Sequence, residues 1–197
     1  VNKGYRLGQL NRSEEAIQLY DEVVRRFGEA AEPALREQVA TALVNKGYRL
    51  GQLNRSEEAI QLYDEVVRRF GEAAEPALRE AVSRALNGVA NNLLRRAKHT
   101  WGQGDEASAR HQLLEAQAKA LQALEYRANN AYAFGTRGYI AFLLGDREEA
   151  QASLARGIAL GGEELRRAVL ADAGVYPVAQ DQEFRAFFDS IPGAPPT

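Results

Sequence analysis

Cysteine and methionine are absent from this chain of 197 residues, histidine occurs twice, tryptophan once and proline only six times. Without cysteine there is no disulfide framework, no thiolate zinc site and no cysteine nucleophile, so redox chemistry on the chain is excluded; a cytoplasmic location is the expectation. Long apolar runs are missing too. Nothing approaches the roughly 18 residues needed to cross a bilayer, and no charged leader precedes an apolar block, so no membrane partner is expected. The sequence opens on Val1, which implies a start inside a longer protein. A one-sided charge is also lacking: 25 basic and 27 acidic residues are interspersed and leave a formal charge of −2. The basic footprint that neutralises phosphates is therefore not there, and nucleic acid is not an expected partner. What remains is abundant Ala, Leu, Glu, Arg and Gln, all good helix formers, and the class implied is all-α.

Self-similarity organises the chain. Val1–Leu43 recurs as Val44–Leu86, with forty of 43 positions identical; the exceptions are Gln38/Ala81, Ala40/Ser83 and Thr41/Arg84. Core packing does not demand such identity, because cores tolerate volume-conserving swaps and surfaces tolerate nearly anything. Recent duplication or engineering is the simpler cause.

Two amphipathic helices fit within one period. Pro33 and Pro76 suit a first helical turn, where the missing N–H has no partner to lose. From Pro33 the chain runs unbroken to about Leu53, with Leu35, Val39, Leu43, Gly47 and Leu50 on one face at steps of three and four. After a turn at Gln52–Arg55, Ser56 is placed to cap a second helix, as is Ser13 one period earlier. Ala59, Ile60, Tyr63, Val66, Val67 and Phe70 form its apolar face, Arg68 and Arg69 complement its C-terminal dipole, and Gly71 is read as a left-handed stop. A short loop makes the two helices antiparallel neighbours, and a pair this small must stack on others to bury both faces.

Gly47, Leu50, Ala59, Tyr63 and Val66, with Gly4, Leu7, Ala16, Tyr20 and Val23 in the first copy, resemble the tetratricopeptide repeat pattern. There a small residue on the first helix meets an alanine on the second, and the backbones approach closely. A weaker match runs through Leu93, Ala97, Thr100, Gly104-Asp105, Ala109, Leu113 and Ala116. A clearer one follows in Phe134, Gly138, Ala141, Gly145-Asp146, Ala150, Leu154 and Ile158. The resemblance implies a right-handed α-solenoid of antiparallel helix pairs over residues 1–160, divided as 1–32, 33–75, 76–129 and 130–160. Two short helices around Gly174-Val175-Tyr176-Pro177 are expected to cap the array over 161–191, with Asp181 as an N-cap and Phe184, Phe187 and Phe188 covering the last pair. Residues 192–197 are expected to form a disordered tail. The period departs from the family's usual 34 residues, the excess lengthening the first helix. Lys3 and Lys46 stand where leucine is expected, so a lysine stem fills that place or it lies at the surface. The first unit lacks the counterpart of Pro33–Leu43, which leaves an uncapped apolar end and implies association there, with itself or with further identical repeats.

No catalytic constellation emerges, and an enzyme is not expected. His99 and His111 flank the Gly102–Asp105 turn, but two histidines without further ligands do not make a metal site. No Gly-x-Ser-x-Gly elbow accompanies Ser13 or Ser56. The glycines lack a phosphate-cradling spacing, and Glu14-Glu15 and Glu57-Glu58 read as first-turn charges facing water. No cofactor or metal is implied. The candidate surface is the face of the first helices opposite the packed stripe. Asn2 and Tyr5 lie on it in the first unit, Thr41, Asn45, Tyr48 and Gln52 in the second, and Asn91, Arg95, Lys98 and Trp101 in the third. In tetratricopeptide proteins this side lines a concave groove. Asn amides can grip an extended peptide, Tyr and Trp offer rigid contact area, and Arg95 and Lys98 suit an acidic group.

The resemblance thus implies an adaptor that binds a protein or peptide on its concave face. The alternatives are a structural spacer or self-assembling scaffold whose repeat number sets its length, and a regulatory region of a larger multidomain protein. The undiversified pairs Tyr5/Tyr48 and Asn2/Asn45 favour the uniform scaffold; the individual third and fourth units favour the adaptor.

Overall fold

The computed structural model describes residues 1–10 and 12–192, so the tail expected over 193–197 lies outside the described residues. Among the described residues there are nine α-helices and no strand: α1 (Asn2–Gln9), α2 (Ser13–Phe27), α3 (Pro33–Gln52), α4 (Ser56–Phe70), α5 (Pro76–Gly102), α6 (Glu106–Tyr126), α7 (Ala131–Leu144), α8 (Arg147–Ala173) and α9 (Gln180–Asp189). None of the described helices is long and apolar enough to cross a membrane. The chain forms two compact units, Val1–Asn92 and Leu93–Thr197, and α5 contributes to both.

In unit 1 each helix packs on the next in chain order, α1 on α2, α2 on α3 and α3 on α4. The stripe expected on α3 is the buried one: Val39, Leu43 and Leu50 are inaccessible, and Ala59, Tyr63, Val66 and Phe70 answer from α4. Burial of each large side chain in that seam is worth about 1.5–3 kcal/mol. The glycines of the seam serve aromatic rings. A Cβ on Gly47 would stand 2.7 Å from the Tyr63 ring, and one on Gly88 of α5 only 2.4 Å from its other edge, so Tyr63 lies pinned between two glycines. Gly4 makes the same room for Tyr20. The glycine on the first helix therefore admits the ring of the second, where the sequence pointed to a crossing with Ala59.

Unit 2 pairs α6 with α7 and α7 with α8, and α9 packs back on both α7 and α8. Thr100 on the last part of α5 donates to Gln112 of α6 across 3.3 Å, which ties that segment to its antiparallel neighbour. Caps here follow the expected chemistry. Asp105, Asn130 and Asp146 accept from the backbone N–H of Ser108, Ala133 and Glu149 at 3.0, 3.2 and 3.0 Å. Gly104 and Gly145 take the left-handed conformation, with φ of 90° and 91°, that closes α5 and α7. Gly162, at φ 54° and ψ −144°, breaks α8 and separates Glu163–Ala173 from the helix before it. Phe184 and Phe188 of α9 are fully buried, Phe184 lying 4.4 Å from the Tyr139 ring and 5.0 Å from that of Phe142.

Three local readings are corrected. Ser13 and Ser56 do not cap α2 and α4: both are already helical, and Arg12 and Arg55 occupy the cap without a side-chain cap hydrogen bond. Each arginine instead forks onto a first-turn glutamate, Arg12 on Glu15 at 2.5 Å and Arg55 on Glu58 at 2.6 Å. Gly71 is not a left-handed stop, since its φ is −59°, close to the −55° of Gly28 in the first copy; Asn54, at φ 59°, takes that conformation in the preceding turn. Asp181 is not an N-cap either, because α9 starts after Ala179 and the Asp181 side chain turns inward.

Candidate functional site

On unit 1 the expected row lies on α1 and α3. Steps of four, three and four bring Thr41, Asn45, Tyr48 and Gln52 to one face of α3, because a helix turns about 100° per residue. Asn2, Tyr5, Tyr48 and Gln52 are exposed and Thr41 and Asn45 half-buried; Tyr5 and Tyr48 keep 51% and 53% of their surface, enough ring area for a partner. The row is internally ordered. Gln52 donates to the Tyr48 hydroxyl at 3.1 Å, and Arg84 of α5 donates to Asn45 at 2.9 Å. The Arg49 guanidinium lies 5.1 Å from the centre of the Tyr48 ring and donates to Gln52 at 2.7 Å. Tyr48 is thus held upright by neighbours on its own helix while its ring stays open.

On unit 2 the row does something else. Lys98 is fully buried. Its Nζ donates to the Tyr139 hydroxyl at 2.7 Å and to the Ala173 carbonyl at 2.9 Å, and lies 3.0 Å from Asp181 Oδ2. The Tyr139 hydroxyl in turn donates to Asp181 Oδ1, whose other oxygen accepts from the Val178 N–H at 2.8 Å. Arg95, one turn away, pairs with Asp172 at 2.9 Å. The acidic group that Arg95 and Lys98 were expected to meet on a ligand is supplied by the chain itself, from the end of α8 and the start of α9. The carbonyl at the C-terminus of α8 suits a cation, because the helix dipole leaves partial negative charge there. Lys98 is therefore corrected from a groove residue to a buried anchor of the C-terminal segment.

Electrostatics follow from that enclosure. Burial pulls the Lys98 ammonium below its ordinary value, and the Asp181 carboxylate works against the shift. Burial also drives the Tyr139 hydroxyl far above the ordinary tyrosine value, with Asp181 adding to it.

Trp101 parts from the row as well. From Asn91 to Trp101 is ten residues, and at about 100° each the last position falls back roughly 80°. The indole instead lines an open pocket of about 380 Å³ with Glu106, Ala107, Arg110, Leu113, Leu143 and Leu144. Asn91 is half-buried on α5. His99 packs edge-on to Tyr176 with ring centres 5.1 Å apart, and His111 is exposed on α6. Arg84, an addition to the row in unit 1, could have been found: it is one of the three positions at which the copies differ.

The sequence pattern of the tetratricopeptide repeat family matches residues 40–70, the span of α3 and α4 in which glycine and ring interlock. Among solved structures the chain is similar to a thermophilic tetratricopeptide repeat protein of Thermus thermophilus. The likeness has a TM-score of 0.60 at 19% identity and covers 97% of this chain and 96% of the other. The chain is a tetratricopeptide repeat protein by fold. No curated protein sequence matches it. Its tetratricopeptide fold is generally that of a protein-interaction adaptor or scaffold.

Proposed function

We propose that the chain is a non-enzymatic adaptor that binds an extended peptide or protein segment across the α1–α3 face, through Asn2, Tyr5, Thr41, Asn45, Tyr48 and Gln52. The supporting observation is the half-exposed pair Tyr5 and Tyr48, displayed one repeat apart with identical neighbours. Rigid amphipathic rings offer contact area at low entropic cost, and amides beside them can pair with a peptide backbone. Two equivalent rings favour a ligand with aromatic or aliphatic side chains repeated along its length. A cytoplasmic setting is consistent with the absence of cysteine.

The test uses a displayed library of random linear peptides. Selected peptides are expected to lose about 30-fold in affinity on Tyr48→Ala, the size of a binding hot spot near 2 kcal/mol. Arg95→Ala should leave them unchanged, since Arg95 is committed to Asp172. Enrichment of no peptide, or retention of affinity in the Tyr5→Ala, Tyr48→Ala double variant, would refute the reading. The spacer reading draws support from the near-identity of the copies, and that second result would favour it.

A further inference from the structure

Helix α6 is apolar on two faces. Ala109, Leu113, Ala116, Ala120 and Ala123 are buried in unit 2. On the far side Ala107, Arg110, Leu114, Ala118, Leu121 and Glu125 are all exposed. At about 100° per residue these six fall in one stripe along the helix, with exposed His111 at its edge. Leu114 and Leu121 keep 48% and 41% of their surface. An ordinary surface helix buries one apolar face and turns polar residues outward. The second helix of the repeated pair obeys that rule, since the exposed residues of α4 are Glu57, Glu58, Gln61, Asp64 and Arg68. Charge along the α6 stripe is unusual too. Anions suit a helix N-terminus and cations its C-terminus. Glu106 follows that preference, but Glu125 stands in the last turn, where no basic residue lies, and Arg110 stands near the start. That order gains nothing from the dipole of α6 itself. Glu115, beside the stripe, faces Arg96 of α5 at 3.9 Å.

The stripe is its own complement. Leu114 and Leu121 share a midpoint between Gln117 and Ala118, and Arg110 and Glu125 share the same one. A two-fold axis through that point lays Leu114 of each copy on Leu121 of the other and sets each Arg110 beside a Glu125. Ala118, next to the axis, is small enough to let two helix axes approach to about 8–10 Å. We propose that the outer face of α6 is a homodimer interface, on which a second copy of this chain packs its own α6 antiparallel. The charges fix the direction, because a parallel copy would set Arg110 on Arg110 and Glu125 on Glu125. Both partners use the same patch, so the assembly closes at two chains. A stripe on one helix is smaller than the interface of a permanent dimer, and the association is therefore reversible. None of its residues belongs to the α1–α3 row, and each surface can fail without the other.

Sedimentation equilibrium of the full chain is expected to show monomer and dimer exchanging with a Kd of about 10–100 µM. Leu114→Asp with Leu121→Asp should weaken the dimer about 100-fold and leave the helical circular dichroism signal intact, since both side chains face solvent. Arg110→Glu and Glu125→Arg should each weaken it about 10-fold, as two attractive contacts per dimer become repulsive. Mixing these two variants should restore association at the parent's strength, because each chain then supplies the charge the other needs at both contacts. A chain that stays monomeric at the highest concentration overturns the proposal and gives the stripe to a different partner or to none. So does a dimer that survives the two aspartates, which places the interface elsewhere, or a mixture of the charge variants no tighter than either alone.

Discussion

Tyr5 and Tyr48 stand half-open on the first helices of unit 1, whereas Lys98, in the matching row of unit 2, is closed in by Tyr139, Asp181 and a helix-end carbonyl. One row of one architecture is left free in the first case and consumed in the second. Segments appended after the last pair make the difference. Asp172 lies in the last turn of α8, Asp181 sits in the first turn of α9, and both deliver carboxylates to the Arg95 and Lys98 cations. A cationic row on a repeat array is therefore not evidence of an acidic ligand until the array's own termini have been placed.

The two units also differ in what holds them at this level, and that difference can be broken. The largest effect is expected in unit 2. Asp181→Ala strips the buried Lys98 ammonium of its counter-charge and should cost about 3–5 kcal/mol in urea unfolding. The double change Lys98→Met, Asp181→Leu should recover most of that, because an apolar pair of similar volume needs no desolvated charge. A double variant as unstable as the single would mean that the hydrogen bonds, not the charge, matter. A smaller loss is expected in unit 1, where ring packing replaces the ion pair. Gly88→Ala drives a methyl into a Tyr63 ring already backed by Gly47, and overpacking of this kind costs about 1–3 kcal/mol. No loss there would show that the ring can move aside.

The smallest contrast is in pH response. The folded chain keeps the Tyr139 proton that an unfolded tyrosine gives up near pH 10, so above that pH the folded state binds more protons and stability falls. Lys98, held below its ordinary value, runs the other way, and the larger Tyr139 shift decides the sign. Tyr20 in unit 1 is also raised by burial, opposed by nearby Arg49. The melting temperature should thus drop as pH rises past 10, and Tyr139→Phe should make that drop shallower. An equally steep drop in the variant would remove Tyr139 from the account.

Much of this fold was legible because the period of 43 residues repeats the signals that set it. Pro33 and Pro76 open helices, the stripe of Val39, Leu43 and Leu50 is buried, and the Gly145 turn closes α7 as its residue type predicts. The open half of the site was legible for the same reason: steps of three and four place Tyr48 and Gln52 together whatever surrounds them. Lys98 was not, since a lysine on a helix reads as surface, and its partner Asp181 lies in another element brought near only by the fold of α8 and α9. Trp101 was misplaced by a phase error that grows along a long helix. The Ser-Glu-Glu start of α2 and α4 resembles a cap, but an arginine one residue earlier takes the glutamate and leaves the serine inside the helix.

Amide chemical-shift mapping of the chain with a library-selected peptide tests the contrast between the two rows most directly. The account predicts perturbations centred on Tyr5, Tyr48 and Gln52, with Lys98, Tyr139 and Asp181 unmoved. Perturbations centred on α9, or on the pocket beside Trp101 and Arg110, would contradict it.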